Sequence, residues 1–176
     1  MLLRKINAII SLLTTLFLLI HAITVSAWML SRGNVRLFVP LAPWILAGLM
    51  AVHAFIGIYF AVSANMSGDG RKTKSYPRLN RVAFFQRISG ILLILFSALH
   101  IAGAVGFLKP PHIVQTVFPP LFFAIALAHA AVSTDKAFIT LGIGNARFIK
   151  AVGVIARVIC AATFAVAVAG FYFYTW

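Results

Sequence analysis

The stretch VAFFQRISGILLILFSALHIAGAVGFL, residues 82–108, decides how the rest of the chain is to be read. It carries Arg87 near its start and His100 inside the apolar run, and is otherwise uncharged. At 1.5 Å per residue a helix of this length reaches roughly 40 Å, more than the roughly 30 Å of hydrocarbon in a bilayer. Outward from it lie four stretches of the same kind, 6–29 and 39–64 before it, 113–133 and 148–174 after it. Breaks that are polar or contain Pro and Gly separate them at 31–36, 65–81, 109–111 and 134–146. The last break includes the partly apolar Ala137-Phe138-Ile139-Thr140-Leu141-Gly142 and is expected along the membrane interface. The pattern predicts an all-α integral membrane protein, a five-transmembrane-helix bundle that forms one membrane domain over residues 1–176.

Composition points the same way. Of the 176 residues 62% are hydrophobic and 10% charged, and the mean hydropathy is +1.04. Soluble domains use roughly 45–50% apolar and about 25% charged residues, so the bilayer is the solvent that governs this chain. Fifteen Lys and Arg stand against two acidic residues, Asp69 and Asp135. In a soluble protein that balance would suggest nucleic acid; here basic residues in short loops set orientation, and nucleic acid is not expected as a partner. With the N-terminus inside, one face collects Arg4, Lys5, Arg71, Lys72, Lys74, Arg78, Arg81, Lys136 and Arg147, with Arg87, Lys150 and Arg157 just within the helices. The other face holds Arg32, Arg36 and Lys109, so a cytoplasmic N-terminus and an outside C-terminus are expected. Trp28, Trp44, Tyr174 and Trp176 then fall near the outer interface, where amphipathic rings settle. The start, Arg4-Lys5 and an apolar run to Val25-Ser26-Ala27, imitates a secretory signal. Its apolar core of about 20 residues exceeds the about 7 to 15 of a signal, and a retained span is expected. The one cysteine, Cys160, excludes an intramolecular disulfide and covalent haem attachment through Cys-x-x-Cys-His.

A histidine inside a membrane helix is costly unless it faces the bundle interior and finds a partner. One such residue is more often a cross-helix hydrogen bond than a ligand. Here His21, His53, His100 and His129 sit one on each of the first four spans. Counted from the outer helix ends, His21 and His100 lie roughly 13 to 15 Å deep and His53 and His129 roughly 20 to 26 Å deep. That makes two pairs at two levels. Iron held by two axial imidazoles needs one histidine from each of two helices at matching depth, so the expected cofactors are two b haems. Small neighbours leave room for them: Ala22, Ala54, Gly57, Ala98, Ala102, Gly103, Ala128 and Ala130. Arg87 and Arg157, one to two turns into spans three and five, are candidate contacts for haem propionates, with snorkelling to the interface as their other use. His112, beside Pro110-Pro111 in the outer loop, is read as solvated.

Two short segments then resemble a known family. Val52-His53-Ala54-Phe55-Ile56-Gly57-Ile58-Tyr59 resembles the His-x-x-x-Gly-[Ile/Val]-Tyr segment in the membrane-anchor cytochrome b of succinate dehydrogenases and fumarate reductases. Phe85-Gln86-Arg87-Ile88-Ser89-Gly90 with His100 is similar to that family's His-Arg-x-[Ser/Thr]-Gly signature, with Gln86 where the signature has His and Ala83 where a Ser precedes it. Five helices with histidine on the first four resemble the single-subunit, dihaem class along nearly the whole chain. The resemblance implies that His53 and His129 hold the haem proximal to an iron–sulfur subunit, and His21 and His100 the distal haem. It implies a bacterial or archaeal-type cytoplasmic membrane, menaquinone or ubiquinone as substrate, and iron–sulfur and flavoprotein subunits docked on cytoplasmic loops 65–81 and 134–146. The resemblance also implies a possible dimer of complexes. Ser89 and Trp44 are the candidate residues near the quinone, Trp44 favoured at the outer end. Some members move compensating protons on a membrane glutamate; this sequence contains no Glu, and no glutamate-gated proton return is expected.

The expected function is a quinone-linked electron-transfer anchor with no complete activity of its own. No flavin fingerprint or cysteine cluster is present to carry fumarate chemistry. A haem b subunit of a hydrogenase or formate dehydrogenase would follow from the same histidines. A small transporter relaying protons or metal through them is the alternative of a different class, without the mid-membrane carboxylates such proteins commonly use.

Overall fold

A computed structural model describes residues 2–33, 41–66, 77–109 and 111–175. These form five α-helices: α1 (Leu2–Leu30), α2 (Ala42–Met66), α3 (Pro77–Ala104), α4 (His112–Leu141) and α5 (Ala146–Thr175). All five are long and apolar enough to cross a membrane. Large apolar side chains such as Phe55, Phe84 and Ile91 stand outward, as lipid-facing surfaces require.

Several hydroxyl side chains within the helices are satisfied at short range. Thr14, Ser26, Ser89, Thr134 and Thr140 each donate a hydroxyl to the carbonyl four residues back, at 2.6–2.8 Å. Such back-bonding lets a hydroxyl sit in an apolar helix without an orphaned polar group.

The helix ends correct two expected boundaries. α3 stops at Ala104 and not at residue 108. Gly106 takes φ +77°, its N–H bonds Gly103 O at 3.1 Å and Phe107 N bonds Ala102 O at 2.9 Å, a Schellman closure. α4 runs on through the expected break at 134–146 to Leu141. Hydropathy falls at Thr134, Asp135 and Lys136, yet Thr134 and Ala137 are buried. The helix ends in the same closure at Gly142, φ +73°, with Ile143 N on Phe138 O at 3.1 Å. Only 142–145 connect α4 to α5, and Asn145 Oδ1 caps α5 by accepting from Phe148 N at 2.9 Å. The breaks at 34–36 and 67–76, residues 39 and 40, Pro110 and Trp176 lie outside the described residues.

The packing is uneven. α1, α4 and α5 pack mutually, α2 packs on α1, and α3 packs on α4. Among the described residues, α1 and α3, like α2 and α4, are not packed against one another to a comparable extent. The tightest core, Leu127, Ala130, Ala131 and Cys160 with Leu18, Leu19, Phe123 and Phe164 against them, lies where α1, α4 and α5 meet. At one end of this core α5 approaches α1 through Gly170, where an added Cβ would stand 3.2 Å from Ser26 O. Nearby, Trp28 and Tyr174 meet with ring centroids 5.0 Å apart.

Candidate functional site

The first four helices bring their histidines into two groups. His21 on α1 and His100 on α3 are close enough to interact electrostatically, and so are His53 on α2 and His129 on α4. These are the partners that helix rise sorts by depth. The depths themselves need amending: with α3 ending at Ala104, His100 stands only about 6 Å from its helix end. Both pairs join helices that are not direct packing neighbours, so each spans the bundle diagonally. His21, His53 and His129 are half-buried and His100 is exposed.

Surroundings differ between the two pairs. His100 has the ring of Phe122 at 5.4 Å, within an aromatic group in which Phe118 lies 5.3 Å from Phe96 and 5.9 Å from Phe122. His129 is held by hydrogen bonding: its Nδ1 lies 2.7 Å from Ser89 Oγ. Ser89 is 2% exposed and also bonds the Phe85 carbonyl at 2.6 Å. Gly90 lies beside the same ring, with Cε1 of His129 3.6 Å from the position of an added Cβ. The Nδ1 of His53 is buried without a hydrogen-bond partner.

Toward the α4 C-terminus a polar chain links α3 to α4. Gln86 Nε2 donates to Ser133 Oγ at 3.0 Å, and Lys136 Nζ donates to Gln86 Oε1 at 2.5 Å. Sequence reading assigned Lys136 to a loop and missed this chain. The sequence signal for it was a glutamine, Gln86, beside Arg87 at the start of an apolar run.

The remaining candidates are placed as follows. Arg87 is exposed on α3. Arg157 on α5 is exposed, its guanidinium 3.4 Å from an added Cβ at Gly153, a position that Asp135 Oδ2 approaches equally closely. Among the described residues neither guanidinium is hydrogen-bonded to a histidine. Trp44 is exposed near the start of α2. Ser89, expected near a quinone, is enclosed and engaged with His129 and Phe85. The side chain of His112 lies outside the described residues.

The donor set fits b haem. A bis-imidazole iron would take one ring from each of two separate helices, and His21 with His100 and His53 with His129 are residues on separate helices that could supply them. A ligating histidine ordinarily engages its other ring nitrogen in a hydrogen bond, and Nδ1 of His129 has such a partner in Ser89 Oγ. The Nδ1 of His53 is buried without a partner among the described residues, a cost of about 1–3 kcal/mol. Protein-family models, curated proteins and solved structures yield no match to the chain.

Proposed function

We propose that this chain is a dihaem cytochrome b, the membrane anchor and electron-transfer subunit of a quinone-linked oxidoreductase of the succinate dehydrogenase or fumarate reductase kind. The observation that carries the reading is one histidine in each of the first four membrane-spanning helices, His21, His53, His100 and His129, with His21 near His100 and His53 near His129. Bound haem supplies one-electron transfer. The chain's own residues that would hold the two haems are His21 with His100 and His53 with His129, of which His21, His53 and His129 are half-buried in the apolar bundle. Polar groups that could serve propionates lie toward the end that contains the α4 C-terminus: Lys136, Arg87 and Arg157.

That end is proposed to face the cytoplasm and to dock the iron–sulfur and flavoprotein subunits. With α4 extended to Leu141, the docking surface there comprises the turn 142–145 and the start of α5 with exposed Arg147 and Lys150; of the other expected docking loop, residues 67–76 lie outside the described residues. The quinone, menaquinone or ubiquinone, is assigned to the opposite end near Trp44.

The test is an optical spectrum of the purified protein with pyridine-haemochrome quantitation. About two low-spin haems b per chain are expected. A preparation expressed with ample haem that contains none would end this reading.

A further inference from the structure

Three distances around one hydroxyl settle where a proton sits on a neighbouring ring. Ser89 Oγ lies 2.6 Å from Phe85 O, 3.3 Å from Gln86 O and 2.7 Å from His129 Nδ1. Two oxygens 2.6 Å apart need a hydrogen between them, and a carbonyl brings none. The hydroxyl proton is therefore committed to the backbone, and Oγ meets the ring with a lone pair. Nδ1 of His129 must then be the donor. Neutral imidazole has one N–H, so Nε2 keeps its lone pair free. Gly90 borders the same ring, its Cβ position 3.6 Å from Cε1 of His129, so the ring lies against α3 at ordinary packing distance.

The geometry points to Ser89 as a positioning residue that selects the Nδ1-protonated tautomer of His129 and presents Nε2 as its ligating atom. That the ligand is haem iron rests on the function proposed above; the tautomer does not. His53, whose Nδ1 has no such partner, lacks this control. The two axial rings of one iron would thus be unequal, one fixed by a serine and the other by the iron alone. A hydrogen bond accepted from the distal N–H makes an imidazole a stronger donor and favours ferric over ferrous iron.

Two readouts test this on the full-length protein in detergent or nanodiscs. In histidine-labelled samples, ¹⁵N spectra assigned by difference against His129→Ala should show His129 protonated at Nδ1. Ser89→Ala should abolish that preference, and Ser89→Thr, which keeps a back-bonding hydroxyl, should retain it. In a redox titration Ser89→Ala should raise the potential of one haem and leave the other unchanged, each tenfold loss of ferric preference reading as about 59 mV for a one-electron couple. Haem present with both potentials and the tautomer unchanged in Ser89→Ala overturns the role of Ser89 alone. A wild-type chain without haem but with His129 protonated at Nδ1 overturns the iron reading and supports the control of the ring by Ser89. Protonation at Nε2 in the wild type overturns the inference outright.

Discussion

His53 and His129 are the same chemical group held in different ways, one with a buried Nδ1 that meets no acceptor and one fastened to Ser89. On the proposed dihaem reading the two rings would hold the same iron, so His53→Ala and His129→Ala should each lose mainly one haem, and the same one. His21→Ala and His100→Ala should lose mainly the other. Haem content and the split of the α-band at low temperature read this directly; loss of both haems in all four variants would leave the pairing without support. The positions of these residues were legible in the sequence because a histidine stands out against an apolar run. The bond from Ser89 to His129 was not. It spans 40 positions in the chain and depends on how α3 and α4 are rotated, which periodicity cannot report for helices apolar nearly all round.

Helix existence was plain from hydropathy, and helix termination was not. Hydropathy charges Asp135 and Lys136 as polar interruptions, but Lys136 is accepted by Gln86 and Thr134 by its own helix, so α4 continues past both. Conversely, residues 105–108 are apolar enough to extend α3, but Gly106 turns the chain by entering the left-handed region. The contact of α5 with α1 is another matter of elements. Gly170 faces Ser26 O and Leu30 Cγ at 3.2 and 3.4 Å from an added Cβ, closer than a large side chain allows. Gly170→Leu should push the two helices apart and destabilise the bundle by about 1–3 kcal/mol, measured by unfolding in mixed micelles. Gly48→Leu, where an added Cβ meets nothing within 4 Å, serves as the comparison and should cost far less. Equal effects would show that the α1/α5 approach is not limiting.

For the molecule as a whole, charge distribution sets the expected orientation. Cysteine placed at Lys109 should react with a membrane-impermeant maleimide added to intact cells, and at Arg147 only after the membrane is opened. Both positions are exposed, and Cys160 is buried at 4% exposure, so it contributes little background. Labelling of Arg147→Cys in intact cells would invert the topology and move the proposed docking face to the other side.

The packing of α5 has a bearing on how the protein is made. The tight core needs α1, α4 and α5 together, yet α5 leaves the ribosome after the other four helices. Until then α1 and α4, the helices on which α2 and α3 pack, have each other to pack against but lack the α5 side of the core. Biogenesis therefore passes through a four-helix stage that lacks its keystone, and any cofactor loading that precedes α5 would take place in a loose assembly. A chain truncated at residue 145 should insert into the membrane but be cleared quickly, which pulse-chase labelling would detect as a shortened half-life; a half-life equal to that of the full chain would show that the core does not wait for α5.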